Sequence, residues 1–287
     1  MIRAALALML ACAAAACGDR PQAMDWPPPA PALWEATAPG GQRGWLFGTT
    51  HALPAEVRWR TPALERAIGD ARLLVVEVAA LEDEAAGRRA FASVAYSPGL
   101  PPLLQRVPPR SRPALARALR DAGLTEADLA TSESWSAALA ILNAGGAEEN
   151  AQGVDRALLA GDLPVAGLES HARLFAIFDT LSPEDQNTLL ALAATMRDPV
   201  LEARITASWL TGDTAAMERE LARGLLADRE LRDALLVRRN AAWLPQVARF
   251  IAEGRRPLVA VGAAHLLGPE GLPAQLAARG YRIRRLQ

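Results

Sequence analysis

Few residues in this chain can do chemistry. It holds three histidines, two cysteines and no lysine in 287 residues. Two of the histidines share a setting, Gly48-Thr49-Thr50-His51 near one end and Gly262-Ala263-Ala264-His265 near the other. Each G-x-x-H follows a short apolar run that reads as a buried strand, Gly44-Trp45-Leu46-Phe47-Gly48 and Pro257-Leu258-Val259-Ala260-Val261. In open α/β sheets ligands gather beyond the carboxyl ends of the strands, where loops and helix amino-termini converge. A glycine there lets the backbone turn sharply and approach another group. A histidine three residues on can then aim its ring at a shared centre, and neutral imidazole is a common metal ligand. The plainer outcome for both is a loop histidine bonded to backbone carbonyls, and the spacing alone leaves the two readings open.

The Gly-Thr-x-His and Gly-x-x-His-Leu elements have companions between them. These are the strand glutamate Glu77, the segment Gly167-Leu168-Glu169-Ser170, and Arg239-Asn240 with Trp243 shortly after. In this order, from about Trp34 to Leu286, the chain resembles the TraB/PrgY/GumN family, relatives of the Tiki-type metal-dependent proteases. The resemblance implies an α/β core with helical inserts and makes His51 and His265 metal ligands. Glu77 and Glu169 each belong to an apolar strand stretch, a costly place for charge unless it is paired or metal-bound. One would complete the coordination and the other would activate water as general base, with the assignment open; the alternative for each is a plain ion pair with an arginine. Arg239 would hold an oxyanion or a substrate carboxylate in its fork, and Asn240 would orient water or the ligand shell. Oxygen and nitrogen ligands without thiolate suit zinc, manganese or cobalt. The implied activity is metal-dependent hydrolysis of peptide or amide bonds. The family also includes members linked to pheromone shutdown and to exopolysaccharide gene clusters, so the alternative is a non-catalytic lipoprotein that binds a peptide or polymer. A shared metal requires the strands before His51 and His265 to lie in one sheet and point the same way, with Glu77 or Glu169 facing the same pocket.

The elements that must position these groups follow from pattern. Leu73–Val78 reads as a second strand, apolar on both faces as parallel sheets require. Leu163–Leu168 and Arg282–Leu286 read as further strands. Thr61 caps a helix with Pro62 in its first turn, and another helix lies around Pro269 to Ala278. Ala114–Leu119, Trp135–Leu142, Val154–Leu159, Glu184–Met196 and Asp213–Leu226 carry apolar residues at helical spacing. The Pro-rich patch from Pro98 to Pro109 reads as a loop or substrate-facing lid. The fold class is therefore α/β, a small mixed or mostly parallel sheet built from both ends of the chain with a helical middle insertion. Trp45 and Trp135 belong to the core, Trp59 is a candidate pocket wall, and His171 is a capping or surface histidine.

Acidic and basic residues nearly cancel, 32 against 31, so no long-range field would draw in nucleic acid. At 51% hydrophobic and 22% charged the composition is that of a globular protein. The start differs from the rest. Met1-Ile2-Arg3 precedes an apolar run from Ala4 to Ala16, a secretory pattern too short to span a bilayer. It closes on Ala15-Ala16-Cys17-Gly18-Asp19, which resembles the lipobox of bacterial lipoproteins, with Ala14 where leucine is usual; Cys12 is a weaker candidate. The expected organisation is a signal peptide over 1–16, a Pro-rich tether over 17–32 and one domain over 33–287, anchored by lipid on the periplasmic side of a bacterial envelope. Both cysteines lie in this leader, which leaves His, Asp and Glu to build any metal site in the domain. If Cys17 is acylated, Cys17→Ser moves the protein from the membrane to the soluble fraction with its melting temperature unchanged. Full membrane retention would remove this anchor.

Overall fold

The two runs that end in G-x-x-H are adjacent strands of one sheet. The computed structural model describes residues 25–51, 53–80, 83–144, 153–196 and 199–287. The expected signal peptide, Cys12, Cys17 and the first part of the expected tether lie outside the described residues. Among the described residues six strands form one sheet: β1 (Leu33–Thr37), β2 (Arg43–Thr49), β3 (Leu73–Val78), β4 (Val165–Glu169), β5 (Pro257–Gly262) and β6 (Arg282–Arg285), in the order β4-β3-β5-β2-β1-β6. From β4 to β2 every pairing is parallel, and β1 runs antiparallel to both of its neighbours. The sheet is thus mixed, mostly parallel, and drawn largely from the two ends of the chain.

Parallel strands buried on both faces need apolar residues on both, and these have them. One face carries Trp45, Phe47, Leu74, Val76, Leu258 and Ala260, covered by Leu64 and Ala67 of helix α1 (Pro62–Asp70) among others. The other carries Leu46, Leu73, Val75, Val259 and Val261 beneath Trp243, Leu244, Val247 and Ile251 of a long carboxyl-terminal helix. Thr61 caps α1 as expected, its hydroxyl accepting from the Leu64 amide at 3.1 Å.

The middle of the chain supplies α2 (Glu84–Ala92), α3 (Arg112–Asp121), α4 (Ser134–Asn143), α5 (Val154–Leu159), α6 (His171–Asp179), α7 (Pro183–Ala193), α8 (Pro199–Leu210) and α9 (Thr214–Arg223). Several of these enclose a second core around Trp135, which stacks on Phe178 and Phe175 at centroid distances of 5.7 and 6.1 Å. The Pro-rich patch belongs to this body: Leu103 and Val107 are buried in it, and Arg106 donates to the carbonyls of Pro101 and Ser132. It is an anchored loop rather than a lid. Trp59 also departs from expectation. It is buried in the main core, stacked on Phe47 at 6.1 Å, because the loop after His51 folds back over the sheet.

The carboxyl-terminal part continues with α10 (Arg229–Arg232), a π turn over Asp233–Val237, α11 (Arg238–Ala252), α12 (Leu272–Ala278) and, between β5 and α12, a short 3₁₀ turn over Ala263–Leu266 that carries His265. Pairing of β2 with β5 sets Gly48 opposite Val261 and Thr49 opposite Gly262. The two motifs also pack together. A Cβ on Gly48 would stand 3.1 Å from Cα and Cβ of Ala263, so this glycine permits a close approach between the motifs.

Candidate active site

Strands β2, β3, β4 and β5 release their carboxyl ends side by side, and the start of α11 faces them. Glu77, near the end of β3, accepts from the Gly262 amide at 2.8 Å through Oε1 and from Arg239 Nη2 through Oε2. Glu169, the last residue of β4, accepts from the same Nη2 at 2.6 Å through Oε1. Arg239 Nη1 donates to the Leu235 carbonyl at 3.3 Å and to His265 Nε2 at 3.1 Å. The guanidinium therefore ties β3, β4 and the turn after β5 together. Its helix is prepared for this by the π turn, whose wider winding shifts the phase of the residues after it. Arg239 and Trp243, one turn apart, stack, with the guanidinium carbon 4.5 Å from the indole centroid. The His265 ring lies 4.4 Å from the same indole.

Asn240 is fully buried and fixes the second histidine. Its Nδ2 donates to the carbonyls of His265 and Glu270 at 3.1 and 2.7 Å, so its Oδ1 faces His265 Nδ1 at 2.7 Å. An amide oxygen can only accept, which puts the ring proton on Nδ1 and the lone pair on Nε2.

The first histidine is fixed in a parallel way. His51 Nδ1 lies 2.7 Å from Asp155 Oδ2, and Asp155 Oδ1 accepts from the Thr49 hydroxyl at 2.6 Å. Asp155 stands at the start of α5, which is joined to the first motif by the Val154 amide donating to the Thr50 carbonyl at 3.0 Å. With Nδ1 committed, His51 Nε2 is the nitrogen that faces the site. A Cβ placed on Gly262 would sit 3.2 Å from Glu77 Oε1, 3.7 Å from His265 Cδ2 and 4.0 Å from His51 Nε2. The absent side chain of Gly262 leaves the space that these three groups border.

All six residues expected from sequence thus gather here: His51, His265, Glu77, Glu169, Arg239 and Asn240. Arg239 differs in role from the anion-binding fork read in the sequence, because its terminal nitrogens are committed to the protein's own carboxylates, a carbonyl and His265. His171, Trp59 and the Pro-rich loop are not part of the constellation; His171 lies against Gly87 of α2. Sequence reasoning missed Asp155 and Thr49. An aspartate in the first turn of a helix reads as a routine complement to the helix dipole, and Thr49 had no signal beyond its place in the motif.

The charges follow from these contacts. The hydrogen bond to Asp155 raises His51 to about 9, helped by the charges of Asp155 and Glu77 and opposed by partial burial and Arg239. The ring is 71% exposed, so the direction rests on the Asp155 contact and the part played by burial is discounted. Burial pushes His265 down to about 4, with Arg239 and His51 adding to it and Glu77 opposing. For Glu77 burial alone would raise the pKa. The positive charges of His265, Arg239 and His51, with the Gly262 amide, outweigh it and hold the carboxyl at about 2. His265 is itself uncharged near neutrality, so there the depression rests on Arg239 and His51.

This donor set fits a divalent cation in type. Each histidine is fixed through Nδ1 by an outer acceptor, Asp155 or Asn240, as metal-ligating histidines are; His51 Nε2 borders the space at Gly262, and His265 Nε2 lies 3.9 Å from Glu77 Oε1 with Arg239 Nη1 donating to it. Glu169 Oε2 is a buried oxygen without a hydrogen-bond partner. As placed, no three His, Cys, Asp or Glu groups among the described residues stand close enough to hold an ion. Arg239 fills the cationic position beside Glu77 and Glu169 and occupies His265 Nε2, so closing His51, His265 and Glu77 around an ion requires its contact with His265 to yield.

A sequence profile described as the TraB/PrgY/gumN family matches residues 32–285, nearly the whole described chain, and the chain belongs to that family. No curated protein and no solved structure matches it.

The His51 assignment has a direct consequence. Its raised pKa means that the Asp155 contact stabilises the fold fully below pH 6.5, the ordinary histidine value, and loses that contribution as pH rises through about 9. In metal-free protein, the His51 ring titrates above the ordinary value by proton NMR, and Asp155→Asn brings it back toward 6.5. An unshifted His51 in the wild type, or no change in the variant, would contradict the pairing.

Proposed function

We propose that this TraB/PrgY/gumN family member is a metal-dependent hydrolase of peptide or amide bonds, tethered by Cys17 to the periplasmic side of a bacterial envelope. The observation that carries the reading is the matched pair of histidines, each locked through Nδ1 and both bordering, with Glu77, the space left by Gly262. His51, His265 and Glu77 would hold a divalent ion, zinc, manganese or cobalt, whose Lewis acidity draws electron density from the scissile carbonyl.

The residues of the chain divide the remaining work. Glu77 has both oxygens engaged, one by a backbone amide and one by Arg239, which suits a fixed ligand. Glu169 keeps one oxygen unpartnered, which suits the group that takes the proton from attacking water. This supports an assignment that the sequence left open. Arg239 offsets the negative charge of both carboxylates and, through Trp243, is kept in register with His265. Asp155 and Asn240 are positioning residues that fix the tautomers of the two imidazoles. Hydrolysis adds water across the amide: its oxygen goes to the carbonyl carbon, and its proton passes by way of Glu169 to the departing nitrogen.

A second reading, a binding protein without turnover, is favoured by Arg239, since a guanidinium that satisfies both carboxylates is what a non-catalytic site would retain. The two readings part on activity. Hydrolysis of a peptide library is abolished by a chelator and restored by added Zn²⁺, Mn²⁺ or Co²⁺. Glu169→Gln, which cannot take up a proton, lowers kcat by about 10²- to 10⁴-fold with the fold intact by circular dichroism. Turnover indifferent to chelation, or unchanged in Glu169→Gln, would overturn the mechanism, and no turnover under any metal would leave the binding reading.

A further inference from the structure

Arg239 faces two places. Besides the carboxylates, it lines a cavity of about 260 Å³ whose other walls are Arg173, Ala176, Ile177 and Thr180 from α6 and Ala234 and Arg238 from the π turn and the start of α11. The spacing of the α6 residues puts them on one face of that helix. The wall opposite is the segment that positions Arg239, and α6 itself begins two residues after Glu169. The cavity therefore shares Arg239 with the candidate site.

Its lining is chemically selective. It brings Arg173 and Arg238 together beside Arg239, whose own terminal nitrogens are already engaged, with no carboxylate among the lining residues. Arg238 is held through Nε by Asp233 at 2.8 Å, which orients it and leaves its terminal nitrogens. Arg173 extends from an exposed position on α6. Between these cations the surface is methyl groups of Ala176, Ile177 and Ala234, with the Thr180 hydroxyl at one end. Guanidinium forks match carboxylates in two-point contact, and the methyl surface suits a short aliphatic stem.

We propose that this cavity is the subsite for a substrate carboxylate. On the hydrolase reading above, on which this rests, the preferred substrates are peptides or N-acyl amino acids that carry a free carboxylate within about one residue of the cleaved bond, since Arg239 borders both the cavity and the two glutamates. The carboxylate can come from a carboxyl terminus or from an acidic side chain.

Three probes distinguish these sources: a tetra-alanine labelled at its amino terminus with an uncharged fluorophore and with a free carboxyl terminus, its carboxyl-terminal amide, and that amide with glutamate in the last position. Their binding to metal-free full-length protein is read by fluorescence anisotropy, and their hydrolysis is then measured with metal added. At least one carboxylate probe binds about tenfold or more tightly than the neutral amide, and which one does so identifies the source. In the Arg173→Gln/Arg238→Gln double variant the gap falls below about threefold, and Arg173→Glu alone also narrows it. These arginines are outside the proposed ligand and base set, so the double variant still hydrolyses the neutral amide. Equal binding of the three probes by wild type, binding of none, or a preference untouched by both variants would overturn the subsite. A carboxylate preference in binding without hydrolysis of any probe would instead count against the hydrolase reading and leave the subsite standing.

Discussion

The site depends on one guanidinium. Arg239 lies between Glu77 and Glu169, with side-chain exposures of 11, 15 and 1%, and among the described residues no other basic side chain pairs with either glutamate apart from His265 at 3.9 Å from Glu77. Two carboxylates gathered at the ends of neighbouring parallel strands would repel each other, and neither has enough water around it to disperse its charge. Removing one partner from a buried pair of this kind typically costs about 3–5 kcal/mol, because an uncompensated charge stays behind. The π turn, the stacking on Trp243 and the bond to the Leu235 carbonyl all serve to place that one group.

This arrangement also sets the terms for a metal. His265 turns its lone pair to Arg239 and His51 holds a second proton near neutrality, so the positive charge already there belongs to the protein. An ion entering beside Glu77 must loosen the Arg239–His265 contact and displace the proton that Asp155 helps His51 to hold. On the proposed reading, cation binding would be coupled to an internal rearrangement and to proton release. The same guanidinium borders the cationic cavity against α6, so a substrate carboxylate there and an ion in the site would both act on Arg239.

Much of this was legible in the sequence, for physical reasons that differ by residue. His51 and His265 stood out because histidine is rare in the chain and both follow apolar strands by the same short turn. Glu77 and Glu169 stood out because charge in an apolar strand must be explained. The parallel strands were legible as apolar runs, whereas β1 was not: Leu-Trp-Glu-Ala-Thr after a Pro-rich stretch has neither clean alternation nor a continuous apolar run. Helices α2, α6 and α8 were missed as well, since their apolar stripes are interrupted by charge. The partner of the two glutamates could not be chosen, because every strong cation in the chain is an arginine and the π turn that aims Arg239 breaks the periodicity on which a sequence reading relies. Trp59 looked like a pocket wall from its nearness to His51 in the chain, but the loop between them carries it back into the core.

The central claim is that the two G-x-x-H motifs and Glu77 form one cation site that Arg239 guards. Anomalous diffraction at the zinc edge, from crystals of the mature protein equilibrated with Zn²⁺, tests it most directly. The account predicts a single strong peak about 2.0–2.1 Å from Nε2 of both His51 and His265, with Glu77 as the third ligand and Arg239 turned away from His265. A site free of zinc with Arg239 still bonded to His265, or a peak that includes only one of the two histidines, would contradict it.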